Sequence, residues 1–308
     1  MSFINEVSKN ISIPSGELSR YAKTCPRRYK VYYIRKRNGK GLREIAQPAA
    51  PVKKLQREAL EVLKPVLPIH DSAMAYREGR SIVDNADRHK SNPYILKMDF
   101  RNFFPSIRPE DFISVLEKNV GEVDSTDLNF FTNLFFRSVN ENLGYRLSIG
   151  APSSPFISNC IMFEFDSAMS KECERLNVTY TRYADDLTFS TAKKGELFGF
   201  PDLVREILIT TPSPDLEVNN EKTVFSSKKH NRHVTGLVLT NDGNVSLGRT
   251  KKREIRSLIY HYKNGHLDND QIEKLIGTVA FARQVEPDFW RRIKLKYGLD
   301  DSFFKIKP

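Results

Sequence analysis

Val178-Thr179-Tyr180-Thr181-Arg182-Tyr183-Ala184-Asp185-Asp186-Leu187-Thr188-Phe189-Ser190 is the stretch on which the reading of this chain turns. Two runs of β-branched and aromatic residues, Val178 to Tyr183 and Leu187 to Ser190, enclose Ala184-Asp185-Asp186. Runs of that kind form strands, and the short break between them folds back as a hairpin with two carboxylates at its tip. An Asp-Asp pair in a turn is ordinary by itself, because aspartate tolerates turn conformations and hydrogen-bonds its own backbone. A second element gives it weight. Tyr94 to Phe100 (YILKMDF) is a short, mostly apolar strand carrying one acid near its end, Asp99. If the two strands are neighbours in one sheet, Asp99, Asp185 and Asp186 form a single cluster. Like charges about 4 Å apart repel by about 4 kcal/mol at an effective dielectric of about 20, so such a cluster calls for a cation. Magnesium fits, since it prefers hard oxygen ligands and leaves room for substrate phosphates. Two such ions activate an attacking hydroxyl and stabilise a leaving oxygen.

Working outward, Tyr29 to Ile34 (YKVYYI) and Leu42 to Ile45 flank Asn38-Gly39, a hairpin turn signal, and predict a basic two-stranded ribbon. Leu55, Leu60 and Leu63 mark an amphipathic helix ending near Pro65. Pro105 breaks the strand that carries Asp99, and Pro109-Glu110-Asp111 opens a helix with an acidic first turn. Apolar residues from Phe156 through Ile157, Ile161, Phe165, Ala168 and Met169 predict one helix running to about Leu176. His233 to Leu239 and Val245 to Leu247 read as a strand pair around Asn241-Asp242-Gly243. Lys251 to Tyr262, Asp268 to Arg283 and Asp288 to Tyr297 read as three basic helices.

Composition narrows the function classes. The 308 residues, 39% hydrophobic and 28% charged, describe a globular chain. No run reaches the roughly 18 apolar residues of a membrane helix. Met1 to Ile13 lacks the apolar core of a secretory signal, so the expectation is a cytoplasmic protein without a membrane partner. Cys25, Cys160 and Cys173 form no CxxC pair and their number is odd, which argues against a disulfide framework or a zinc knuckle. The net charge of +11 is unevenly spread: residues 20–57 hold 13 Lys/Arg against Glu44 alone, and residues 222–308 hold 18 against 9 acids. The stretch between them is net acidic. Basic regions on either side of an acidic centre suggest a polyanion held from both sides while the centre handles cations. Glycoside hydrolysis also uses paired carboxylates, but it would leave the basic arms idle.

Taken in order, several segments resemble reverse transcriptases. Tyr183-Ala184-Asp185-Asp186 is similar to their YxDD hairpin, and Asp99 to Phe104 (DFRNFF) to their first catalytic motif. Arg43-Glu44-Ile45-Ala46-Gln47-Pro48 resembles a fingers segment, Gly150-Ala151-Pro152-Ser153-Ser154-Pro155 a turn against the template and nucleotide base, and Leu216 to Thr223 a palm motif. Asn85-Ala86-Asp87-Arg88-His89 matches the NAxxH element, and Val234-Thr235-Gly236 the VTG element, of retron enzymes. Where many reverse transcriptases carry Gln before the glycine of the fourth motif, this chain has Ile149, which cannot donate amide hydrogen bonds.

The resemblance implies an α+β fold, a right-hand polymerase with fingers, an antiparallel-sheet palm and a small helical thumb. Fingers and palm would occupy residues 1–230, and the VTG strands and basic helices of the thumb residues 231–308. Two Mg²⁺ ions, with Mn²⁺ as a substitute, would sit on Asp99, Asp185, Asp186 and the carbonyl of Phe100. Lys222 would protonate the leaving pyrophosphate. Arg43, Ile149, Gly150 and Ala151 would meet the deoxynucleoside triphosphate, with Phe104 as the steric gate against a 2′-hydroxyl. Asn85, His89, Val234, Thr235 and Gly236, together with Arg249, Lys251, Lys252, Arg253 and Arg256, would bind RNA. The implied activity is RNA-directed DNA synthesis on a cognate non-coding RNA, primed from a guanosine 2′-hydroxyl. Its product would be branched multicopy single-stranded DNA in an anti-phage retron system. Host RNase H would remove copied template, because the residues after Lys222 leave no room for such a domain, and an effector protein of toxin type is a further implied partner. The rival readings are another bacterial defence or group II intron-like reverse transcriptase, an RNA-dependent RNA polymerase, and a non-catalytic RNA-binding scaffold with the same fold.

Overall fold

Alternating side chains on Tyr94–Arg101 serve two cores at once. The architecture is seen in a computed structural model, which describes residues 2–36, 39, 41–140 and 143–299. In chain order the strands are β1 (Tyr29–Arg35), β2 (Leu42–Pro48), β3 (Tyr94–Arg101), β4 (Arg137–Ser138), β5 (Tyr145–Arg146) and β6 (Thr179–Tyr183), followed by β7 (Asp186–Thr191), β8 (Glu217–Val218), β9 (Val224–Ser227), β10 (Arg232–Val234), β11 (Leu237–Leu239) and β12 (Val245–Ser246). The central antiparallel sheet runs β6-β7-β3-β8, and β9 also pairs with β3. Because side chains alternate along a strand, Leu96, Met98 and Phe100 enter the main core, whereas Ile95 enters a second one.

The main core is rich in phenylalanine. Phe131 and Phe135, one helical turn apart on Ser125–Phe135, stack at 5.4 Å, and Phe112 meets both edge-on. From the same helix Asp127 reaches back to the chain's start, accepting from the backbone N–H groups of Phe3 at 2.8 Å and Ile4 at 2.7 Å. It thereby satisfies two of the unpaired donors of helix Phe3–Ile11. The ribbon β1·β2 forms as its β-formers predict, although Asn38 of its expected turn lies outside the described residues. Helix Ala50–Leu63 follows, burying Val52, Leu55, Ala59, Leu60 and Leu63 on one face.

Two expectations need correction. The helix expected from Phe156 to Leu176 is two helices, Ser154–Ile161 and Phe163–Arg175, separated at Met162, whose ψ of 4° leaves the helical range. The first piece is almost wholly buried while the second buries only Phe165, Asp166, Met169 and Cys173, so the pieces face different surroundings. Likewise the strand expected from His233 to Leu239 folds back on itself as β10 and β11. Thr235 and Gly236 take φ of 47° and 83°, and positive φ at both loop positions makes the two-residue turn that suits a tight hairpin. Helices Gly248–Lys263, Asn269–Val285 and Pro287–Tyr297 follow and, with β10 to β12, enclose the second core. All three cysteines are buried and free. Burial pushes the thiols of Cys25 and Cys173 up to about 12.

Candidate active site

Strand pairing alone brings the three aspartates to one place. Asp99 lies opposite Asp186 in the β3·β7 register, and the Phe100 N–H donates to the Asp185 carbonyl at 3.1 Å. Tyr183 pairs with Asp186, leaving Ala184 and Asp185 as the loop. Ala184 adopts φ of 58°, a left-handed conformation that costs a residue with a Cβ. Arg182 helps to hold it there. Its guanidinium is fully buried and donates to the Ala184 carbonyl at 3.1 Å and to Asn159 Oδ1 at 3.2 Å. Asp166 balances the charge at 2.7 Å and also accepts from the Tyr180 hydroxyl at 2.7 Å. The Arg182 backbone is tied too, to the Ser72 carbonyl and the Met74 N–H, both at 2.8 Å.

Asp99 is only 5% exposed. Lys222 Nζ donates to its two carboxylate oxygens at 2.8 and 2.7 Å, and the Asn219 amide adds a bond at 3.3 Å. Burial, then the charges of Asp185 and Asp99, push the Asp186 carboxyl up to about 7, with Lys222 and Lys97 opposing. Burial and then Asp99 also raise Asp185 above the ordinary carboxylate range, against Lys222 and Arg43. Among the described residues no three Asp, Glu, His or Cys side chains are arranged as a metal cage. The donors nonetheless fit a hard divalent cation: they are clustered carboxylates, and Asp185 and Asp186 are raised by burial and then by neighbouring acid charge, which a cation would offset. Lys222 supplies a single counter-charge to that cluster. Phe100, expected to offer its carbonyl, follows Asp99 directly, with its side chain buried in the main core.

A cleft of about 300 Å³ is lined by Phe104, Ile149, Gly150, Ala151, Lys53, Arg57 and Tyr76 among others. Asn102 takes a left-handed φ of 48°, after which Phe103 is buried and Phe104 lines the cleft. Gly150, with φ of 115°, lies so close to β2 that an added Cβ would stand 3.1 Å from the Ala46 carbonyl oxygen. Ile149 accepts from the Ala46 N–H at 2.8 Å, joining this loop to the ribbon. Arg43 is exposed on β2, and its charge opposes the burial that raises both Tyr76 and Asp185. Lys53, Arg57 and Tyr76 are additions to the expected set. Lys53 and Arg57 were readable, since residues four apart share a helix face.

The model of the family described as "Reverse transcriptase (RNA-dependent DNA polymerase)" matches residues 34–239. Over 272 residues the chain is 45% identical to "Retron Ec83 reverse transcriptase" of Escherichia coli, covering 88% of this chain and 87% of that relative. It is 32% identical over 284 residues to "Retron Ec73 reverse transcriptase" of the same organism, covering 87% and 86%. The chain belongs to the retron-type reverse transcriptases. This reverse transcriptase is an RNA-directed DNA polymerase with an α+β right-hand polymerase fold. A solved structure of apo telomerase from Candida tropicalis is similar in fold alone, with a TM-score of 0.50 at 14% identity. That match covers 98% of this chain but 63% of the telomerase chain, so the reverse transcriptase spans less than two thirds of that neighbour.

The residues expected to bind RNA divide into two groups. Asn85 and His89 are fully buried in this reverse transcriptase and offer no surface to RNA. His89 instead clasps the β6·β7 hairpin that carries Asp185 and Asp186, with Nδ1 at 2.7 Å from Ser190 Oγ and Nε2 at 2.7 Å from Thr181 Oγ1. Val234 is buried as well, and Thr235 donates to the Ile82 carbonyl at 3.1 Å, while Gly236 stays exposed. On helix Gly248–Lys263, Lys251 pairs with Glu254 at 2.9 Å and Lys252 with Glu286 at 2.6 Å. Arg249, Arg253 and Arg256 are exposed. Sequence reasoning missed the Arg182–Asp166 pair and Arg232, a buried arginine that donates to the carbonyls of Asn92 and Thr240. Their partners are distant in the chain or backbone atoms, which no local pattern discloses.

Proposed function

We propose that this reverse transcriptase copies part of a structured non-coding RNA of its own genetic system into branched multicopy single-stranded DNA, as part of an anti-phage retron. The observation that carries the polymerase site is the register that sets Asp99 against Asp186, with Asp185 at the tip. The retron relatives support the rest of the reading. Two Mg²⁺ ions on Asp99, Asp185 and Asp186, replaceable by Mn²⁺, would lower the pKa of the primer hydroxyl and neutralise the leaving pyrophosphate. Within the chain, Arg43 would clamp the triphosphate of the deoxynucleotide with its guanidinium fork. Phe104 would exclude a ribose 2′-hydroxyl, while Ile149, Gly150 and Ala151 form the floor of the cleft. Lys222, which donates to both Asp99 carboxylate oxygens, would give its proton to the pyrophosphate.

Fingers and palm are assigned to residues 1–230 and the thumb to 231–308. Arg249, Arg253 and Arg256 would supply the thumb's phosphate contacts to a stem of the RNA, with Gly236 exposed at the nearby hairpin turn. Asn85, His89 and Val234 are better assigned to the joint beneath that surface. A host RNase H and a toxin-type effector are the further partners this reading implies. Primer extension with deoxynucleotides tests the site: Asp185→Asn abolishes it, and persistence of extension refutes the assignment. Sequencing the nucleic acid that copurifies with the wild-type chain tests the retron reading, which predicts an RNA–DNA species joined through a 2′-branch.

A further inference from the structure

Phe198 and Phe225 are 71% and 43% exposed, and their rings pack on each other with centroids 5.3 Å apart. One exposed phenylalanine is ordinary. Two that touch outside the core, with exposed Val224 next to one of them, form an apolar patch on the palm's edge strand β9. Phe225 lies opposite Leu96, three residues along β3 from Asp99, or about 10 Å by the strand rise.

The surroundings say what such a patch would hold. β7 and β9 both run antiparallel to β3, so Thr191, Tyr94 and Ser227 share one rung. Beyond that rung the two strands leave the sheet at the same end, the first into Lys193-Lys194 and the second into Lys228-Lys229. All four lysines are exposed, and among the described residues none of them forms an ion pair. The half-buried Glu196 is the acid of the short turn Glu196–Gly199 that carries Phe198, and exposed His230 follows the second lysine pair. A protein partner would have to desolvate four unpaired ammonium groups, which protein interfaces avoid at their centres. A single nucleic-acid strand meets both features, since its phosphates neutralise the lysines and its bases have flat apolar faces that stack on aromatic rings.

We propose that Phe198 and Phe225, with Lys193, Lys194, Lys228 and Lys229 at the same end of the sheet, form a platform on which unpaired bases of a single RNA or DNA strand stack. The platform lies outside the catalytic cleft, on the side of the palm where β3 begins. It would guide an unpaired strand over the palm's edge, independently of how the paired primer and template occupy the cleft.

The full-length chain is compared with the variants Phe198→Ala/Phe225→Ala and Lys193→Gln/Lys194→Gln/Lys228→Gln/Lys229→Gln. The probes are an oligouridine about 12 nucleotides long containing 5-iodouridine, for photocrosslinking and anisotropy, and a blunt duplex of equal length. Thermal melting and extension of a short hairpin primer–template verify that the variants fold and retain basal activity. The platform predicts a crosslink in the peptides holding Phe198 or Phe225. It also predicts about tenfold weaker single-strand binding in the aromatic variant, the worth of one stacked base, with duplex binding unchanged. In the lysine variant the salt dependence should flatten by up to about 3 in slope, at about 0.7 for each phosphate that is no longer neutralised. Crosslinks confined to residues 43–57 and 148–155, or unaltered single-strand affinity in the aromatic variant, overturn the proposal and leave the patch to a protein partner.

Discussion

Phe104 and its neighbour Phe103 meet edge-on at 5.3 Å, yet only Phe103 is buried. The left-handed turn at Asn102 precedes this division of labour, leaving one ring in the core and the next lining the cleft. Phe104→Ala should therefore let ribonucleotides in with little cost to folding. Steady-state incorporation would show the preference for deoxynucleotides falling by about 10- to 100-fold, and an unchanged sugar preference would remove the gate assignment. The position of this phenylalanine was legible as an offset from Asp99, whereas the turn that aims it was not. Beyond glycine and, less strongly, asparagine and aspartate, a positive φ leaves little mark in the sequence, and Ala184 and Thr235 sit in that region here beside Asn102. Lys222 is a parallel case. The sequence offered it as a proton donor, while its bidentate hold on Asp99 depends on the β3·β8 pairing that brings Asn219 and the following turn alongside.

The hairpin that carries Asp185 and Asp186 is braced from both sides by buried polar groups, and each brace has a measurable consequence. His89 is held neutral, its pKa pushed down to about 3 by burial and then by the charge of Arg88. The unfolded chain takes up this proton below about pH 6.5 and the folded chain does not, so the contribution is intact above the unfolded value and is lost as the pH falls towards the folded one. Between about pH 6 and 4 the native state should lose about 1.4 kcal/mol per pH unit to this one group. Chemical denaturation across that range should show a slope shallower by up to one proton in His89→Gln; parallel slopes in the two proteins would count against the clasp. On the other side, Asp166→Asn leaves the Arg182 guanidinium buried without its counter-charge and should cost about 3–5 kcal/mol. In urea unfolding a loss below about 1 kcal/mol would mean the pair is not what braces Ala184. The hairpin itself was legible, because β-formers flank a turn-compatible doublet. Its braces were not, because nothing in the strand or helix pattern links Arg182 to Asp166 on the neighbouring helix. In the NAxxH element the string was recognisable, but whether Asn85 and His89 point to RNA or inward depends on helix Ile82–His89 packing against β6, β10 and β11.

At the scale of the whole molecule, charge was readable from the sequence as two basic arms around an acidic centre, and the structure assigns them places. Lys53 and Arg57 on helix Ala50–Leu63 line the cleft, and Arg249, Arg253 and Arg256 lie exposed on helix Gly248–Lys263. The division proposed near residue 230 does not separate two cores. Ala86 and Ile95, from the palm side, belong to the same buried cluster as Ile255, Val279 and Trp290 of the thumb. Arg232 fastens the joint by donating to the Asn92 and Thr240 carbonyls, and Thr235 adds its bond to Ile82. A thumb that borrows palm residues for its core cannot unfold without exposing them, so the two parts should melt as one unit. Trp290 is the chain's single tryptophan and reports on the thumb alone, whereas far-ultraviolet circular dichroism reports on every helix and strand. In the wild-type chain the two signals should share one denaturation midpoint. Ile95→Ala opens a hole on the palm side of the shared core and should lower both midpoints together, by about 2–4 kcal/mol of stability. If instead the Trp290 transition moves to lower denaturant while the dichroism midpoint stays in place, the thumb is an independent unit, and the shared core does not couple it to the palm.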